Sequence, residues 1–94
     1  MSDELETLRN QIDALDRDIV RLLNARAKLG LEAGRVKSKS GKPIADEDRE
    51  REVLVRIAMA NNGPLPQDAL LSLYRQLIEA IKRLEELHKS EHVR

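Results

Sequence analysis

Residues 3 to 39 contain no proline, and their apolar side chains fall at Leu5, Leu8, Ile12, Leu15, Ile19, Leu22, Leu29, Ala33 and Val36. Steps of three and four residues are the heptad spacing of a helix whose apolar seam faces other helices. Gly41 and Pro43 then end the pattern. The spacing predicts one helix from about Glu4 to about Ser38, spanning roughly 50 Å at 1.5 Å per residue. A compact chain of 94 residues is only about 30 Å across. Such a helix outruns its own domain, and an apolar seam of that length is disfavoured in water. A second copy covering the seam resolves the conflict. The expected fold is therefore all-α, with three helices, one very long, forming an intertwined helical homodimer.

The other two helices follow from local signals. Asp46 can cap a second helix, with Glu47 and Asp48 in a first turn that favours acids. Val53, Leu54, Ile57, Ala58 and Met59 supply its buried side, and Asn61-Asn62-Gly63-Pro64 stops it. A third helix starts near Pro66, carries Leu70, Leu73, Leu77, Ile78, Ile81, Leu84 and Leu87, and frays from Lys89. Residues 1–94 read as a single domain, and a domain this short has a thin core. Oligomerisation is the available remedy, since the sequence has no cysteine. That absence also removes disulfides and thiol catalysis and fits a reducing compartment.

Composition narrows the function. Seventeen basic residues balance seventeen acidic ones, and there is one Tyr with no Phe or Trp. Nucleic-acid binding, which favours excess positive charge and stacking aromatics, is not expected. No apolar run is long enough to span a membrane, and residues 1–6 are acidic with no apolar core of a signal peptide. The expected location is cytoplasmic.

Some residues stand out against the helical pattern. Arg26 occupies the seam position between Leu22 and Leu29. It either sets register or snorkels to the edge, or its guanidinium awaits an anionic ligand. Lys37 lies about three turns later and can face the same side, while Arg9 flanks the seam about four turns earlier and Arg49 opens the second helix. Each alone reads more readily as a solvated surface charge. Gly30 and Gly34, each costing about 1 kcal/mol in a helix, point to close approach of another helix. Tyr74, Ile78, Ile81 and Glu85 share a face of the third helix, which leaves Glu85 either at a wet edge or buried and inclined to protonate. His88 and His92 are spaced for a metal, but no third ligand is fixed and no metal is expected.

Four stretches in order carry a resemblance: Leu8-Arg9-x-x-Ile12-Asp13-x-Leu15-Asp16, Leu22-Leu23-x-x-Arg26, Gly34-x-x-Lys37 and Pro43-Ile44-x-Asp46-x-x-Arg49-Glu50. From Leu5 to Leu87 the chain resembles the helical chorismate mutases, particularly those fused to prephenate dehydratase or DAHP synthase. The resemblance implies conversion of chorismate to prephenate in an intertwined homodimer, with no cofactor. It implies that Arg26, Lys37 and Arg49 come from one chain and Arg9 from the other, the arginines holding the substrate carboxylates. Lys37 would donate to the ether oxygen, Asp46 and Glu50 would line the site, and Glu50 would meet the ring hydroxyl. Such a reaction is unimolecular, so restraint of one conformer and stabilisation of charge on the ether oxygen are what an enzyme can offer.

Two positions depart from the commoner pattern. Glu85 stands where many relatives carry glutamine and some glutamate, and it can donate to the ether oxygen only when protonated. Activity is therefore expected to fall as pH rises, with Glu85→Gln flattening the profile. Ile81 stands where a small or polar residue is common, and it can crowd the substrate. Three alternatives remain: a mutase-like regulatory domain binding chorismate or prephenate, an isochorismate-pyruvate lyase, and a coiled-coil interaction protein with no ligand.

Overall fold

A computed structural model describes the backbone of residues 2–92 and the side chains of residues 3–89. Three helices follow one another: α1 (Ser2–Lys39), α2 (Glu47–Ala60) and α3 (Gln67–His92). Helix α1 has 38 residues, a length of roughly 57 Å at 1.5 Å per residue. The chain accordingly measures 60 × 28 × 14 Å, with a radius of gyration of 17.2 Å against about 12 Å for a compact chain of this size.

The helix ends are set by local chemistry. At the end of α1 the Lys42 N–H donates to the Lys37 carbonyl at 2.8 Å and the Gly41 N–H to the Ser38 carbonyl at 3.2 Å. These paired bonds form a Schellman motif, whose penultimate residue needs a left-handed backbone. Gly41 supplies it, with φ of +70°. Asp46 caps α2 as expected, its Oδ1 accepting from the Arg49 N–H at 3.0 Å. Beyond α2, Asn61 organises the link: its Oδ1 accepts from the Gly63 N–H, and its Nδ2 donates to the Leu65 carbonyl. Pro66 stands just ahead of α3, its carbonyl accepting from the Leu70 N–H. Helix α3 continues to His92, past the Lys89 where fraying was expected.

Helix α3 packs against both α1 and α2. The two glycines of α1 permit its approach. A methyl at Gly30 would lie 2.6 Å from Cγ2 of Ile81, and one at Gly34 would lie 3.2 Å from Cγ and Oε2 of Glu85. Close approach of a helix, read from the sequence, is what these glycines serve.

The core is small. Ile44, Ile78 and Ile81 are the buried hydrophobic residues among those described, with Glu85 buried beside them. Val53, Leu54, Ile57 and Ala58 are half-buried as the α2 pattern implied, but Met59 is 80% exposed. One turn on from Val55, Met59 lies on a face turned away from α3. Leu73 and Leu87 are likewise exposed on the outer side of α3. Leu5, Leu8, Ile12, Leu15, Ile19, Leu22, Leu29 and Val36 are each at least half exposed, so the α1 seam predicted from the sequence lies largely open to solvent along its length. Among the described residues, no helix is long and apolar enough to cross a membrane.

Candidate active site

A cleft of about 160 Å³ opens where all three helices meet. Gly30, Ala33, Ile44, Val53, Ile78 and Ile81 supply its apolar surface. Four cations, Arg26, Lys37, Arg49 and Lys82, and three acids, Asp46, Glu50 and Glu85, complete the lining. No hydroxyl, thiol or imidazole is among the described lining residues. Such a lining is suited to holding and polarising a small anion rather than attacking one through Ser, Cys or His.

Lys37 is fixed at both ends. Its carbonyl closes the Schellman motif, and its Nζ donates to the Ile44 carbonyl at 2.9 Å. An ammonium has three donors, so two remain for the cleft. Its nearest acid is Glu85, with Nζ 3.8 Å from Oε2, an ion-pair distance too long for a hydrogen bond.

Glu85 is 8% exposed, and its Oε2 is buried without a hydrogen-bond partner. Burial pushes the carboxyl above its ordinary pKa; Lys37 pulls the other way, and Glu86 and Glu50 add to the rise. An acid so placed keeps its proton to higher pH than an exposed one, and the protonated form can donate. Glu85 sits there because the α3 face of Ile78, Ile81 and Glu85 continues onto the Gly30–Gly34 surface of α1.

Arg26 lies over the Tyr74 ring, its guanidinium carbon 5.9 Å from the centroid, a cation–π arrangement that holds the head while leaving its N–H edges free. Arg49 reaches the cleft while its Nη1 is hydrogen-bonded to Glu52 at 3.0 Å on the exposed side. Glu50 faces Lys82 across the α2–α3 junction, with Oε1 and Oε2 each 3.2 Å from Nζ.

A family model described as "Chorismate mutase type II" matches residues 8–86. The chain belongs to the type II chorismate mutases. It is 45% identical over 87 residues to a bifunctional chorismate mutase/prephenate dehydratase of Aquifex aeolicus, covering 88% of this chain and 24% of that protein. A protein of the same description from Escherichia coli K12 is 37% identical over 76 residues, covering 80% of this chain and 20% of that one. The chain thus spans about a quarter of the length of such relatives. Among solved structures it is similar to a chorismate mutase (Form II) from Thermus thermophilus, with a TM-score of 0.85 and 35% identity. That match covers 88% of this chain and 94% of the other.

Against this membership, the residues singled out in the sequence divide clearly. Arg26, Lys37, Asp46, Arg49, Glu50, Ile81 and Glu85 all line the one cleft. Arg9 does not. It pairs with Glu6 at 3.5 Å on the surface of α1, 17 residues before Arg26 and so roughly 25 Å away along the helix. His88 is bonded to its own helix, Nδ1 lying 3.0 Å from the Leu84 carbonyl, and the side chain of His92 lies outside the described residues. Ile81, anticipated as a source of crowding, is buried against Gly30 and forms part of the cleft wall. Lys82 was not singled out. Its one signal is position, four residues after Ile78 and three before Glu85 on the same helix face. A cation at such a place is easily lost among seventeen.

Proposed function

We propose that this chain rearranges chorismate to prephenate in the cleft between its three helices, as one domain of a homodimer. The observation that carries this reading is the convergence of Arg26, Lys37, Arg49 and Glu85 on a single cleft in a member of the chorismate mutase family. With Glu85 neutral, the four cations outnumber the two remaining acids, a charge balance that favours a dianion.

Arg26 and Arg49 hold the two substrate carboxylates through charge-assisted hydrogen bonds, Arg49 exchanging Glu52 for the ligand. This locks the enolpyruvyl chain over the ring in the conformer from which the reaction proceeds. As the C–O bond breaks and the C–C bond forms, negative charge grows on the ether oxygen. Lys37 Nζ and the protonated Glu85 carboxyl donate to that oxygen. Glu50 accepts from the ring hydroxyl, and Asp46, held as the α2 cap, borders the same wall.

The seam of α1 supports the dimer. Exposed apolar side chains from Leu5 to Leu22 on a helix that outruns its own fold favour a second copy laid along it. That arrangement gives Arg9 a role: Arg9 of the partner subunit completes the clamp that this chain's own Arg9 cannot reach. The cysteine-free composition fits the cytoplasm.

Chorismate disappearance followed by ultraviolet absorbance tests the reading, with Arg26→Ala as control. Turnover lost in the control supports it. Saturable binding of prephenate with no turnover would replace it with a ligand-sensing module, and turnover of isochorismate instead would make the chain a lyase.

A further inference from the structure

Most ion pairs among the described residues join neighbouring turns of one helix; two join separate helices. One is Lys37–Glu85, between α1 and α3, both already assigned to the reaction. The other is Lys82–Glu50, between α3 and α2, in which Lys82 has no assigned task. The Lys82 ammonium spans both carboxylate oxygens of Glu50 at 3.2 Å and also lies 2.8 Å from Oε1 of Glu79, one turn earlier on α3. The Lys82 and Glu50 side chains are only 24% and 25% exposed, so water screens this pair less than the surface pairs.

Lysine has three donors and no acceptor, whereas a carboxylate offers about four lone-pair sites. Lys82 can bond Glu79 and Glu50 together and still leave Glu50 sites open toward the cleft. The hydrogen bond to Glu79 holds the lysine pKa up, Glu50 adds to this, and burial opposes it, so the bridge keeps its charge. Glu50 sits in the first turn of α2 on a rotatable side chain, and within the described hydrogen bonds Lys82 is its side-chain partner. We propose that Lys82, anchored by Glu79, is the positioning residue that fixes the Glu50 carboxylate at the cleft wall as acceptor for the ligand's ring hydroxyl. This rests on the mutase reading given above. It makes a Glu79–Lys82–Glu50 relay across the α2–α3 junction responsible for recognising a hydroxylated ring.

A hydroxyl contact made equally in ground and transition states acts on KM and leaves kcat nearly unchanged. Steady-state kinetics on chorismate with Lys82→Met should show KM raised about tenfold and kcat within about twofold, and Lys82→Arg should recover most of the loss. In a Glu50→Gln background Lys82→Met should change KM by less than about twofold, because the group it positions has gone. Glu79→Gln, a surface change that spares the fold, should raise KM about threefold and serves if Lys82→Met does not fold. Wild-type KM in Lys82→Met or in Glu79→Gln, or an equal Lys82→Met effect in both backgrounds, overturns the proposal. Absence of turnover in the unsubstituted chain overturns the mutase reading, and this one with it.

Discussion

Oε2 of Glu85 has no hydrogen-bond partner although the Lys37 ammonium lies 3.8 Å from it. The lysine spends its one described hydrogen bond on the Ile44 carbonyl instead. The two groups thus stand side by side without satisfying each other. A buried polar atom left in this state is costly unless something else meets it, and under the proposed function a ligand oxygen lying beside the pair would accept from both.

Activity should follow the Glu85 proton. Burial raises this carboxyl above its ordinary value of 4.5, so the donating form persists above the usual Glu range and is lost as pH climbs further. kcat measured between about pH 5 and 8, around and above the Glu reference value, should fall toward the alkaline end. Glu85→Gln, a donor at every pH, should flatten that limb. An alkaline fall that persists unchanged in Glu85→Gln would remove Glu85 from the mechanism.

Stability should carry the same signature. The native chain keeps the Glu85 proton to higher pH than the unfolded chain, so it binds more protons between the two pKa values. Unfolding free energy from this group therefore declines as pH rises from about 4.5 through the raised native value. Below that window the penalty is absent, and above it the penalty is complete. Denaturant melts of Glu85→Gln across the range should lack the decline and show a more stable protein at neutral pH, offset in part by loss of the Lys37 attraction. A steeper decline in the variant would contradict this account.

The two α1 glycines should fail differently. At Gly30 a methyl meets Cγ2 of Ile81 at 2.6 Å, and such overpacking costs about 1–3 kcal/mol against about 1 kcal/mol gained in helix propensity. Gly30→Ala should therefore be neutral to destabilising by up to about 2 kcal/mol. At Gly34 the methyl meets Glu85 at 3.2 Å, and the carboxyl is the group that yields. Gly34→Ala should melt near the parent temperature yet lose about tenfold or more in kcat, as displacement of a positioned donor does. Equal losses of stability and kcat in the two variants would argue against the distinction.

Shared sites predict complementation. If Arg9 reaches across to the partner's cleft, Arg9→Ala and Arg26→Ala chains should each be inactive alone. A mixed dimer then holds one intact site and one doubly defective site. Equal mixing after unfolding and refolding should restore about one quarter of the parent activity per chain, given random pairing. No recovery would place Arg9 outside the active site.

What the sequence could convey depended on whether the cause was local. The long α1 helix, the stop at Gly41 and the Asp46 cap each follow from signals within about one helical turn, and each is where spacing and residue type put it. Glu85 was ambiguous in sequence because an apolar stripe fixes a face but not what covers it; the Gly30–Gly34 surface decides. Met59 was misplaced because α2 buries a narrower face than its apolar content implies. Lys82 escaped notice because its meaning lies in a pairing 32 residues distant, across a helix junction. Fraying at Lys89 was inferred from polarity, yet the helical backbone runs on to His92.

Lys37 ends α1 through its carbonyl and reaches the cleft through its ammonium, so the turn that stops the helix also aims the donor. Gly41, which makes that turn possible at φ of +70°, has nothing within 4 Å of where a side chain would begin. A residue there would meet no steric obstacle, yet the strained backbone would shift the last turn of the helix and swing the ammonium with it. A bare, solvent-facing position with no neighbour of its own thus bears on the cleft through the backbone alone.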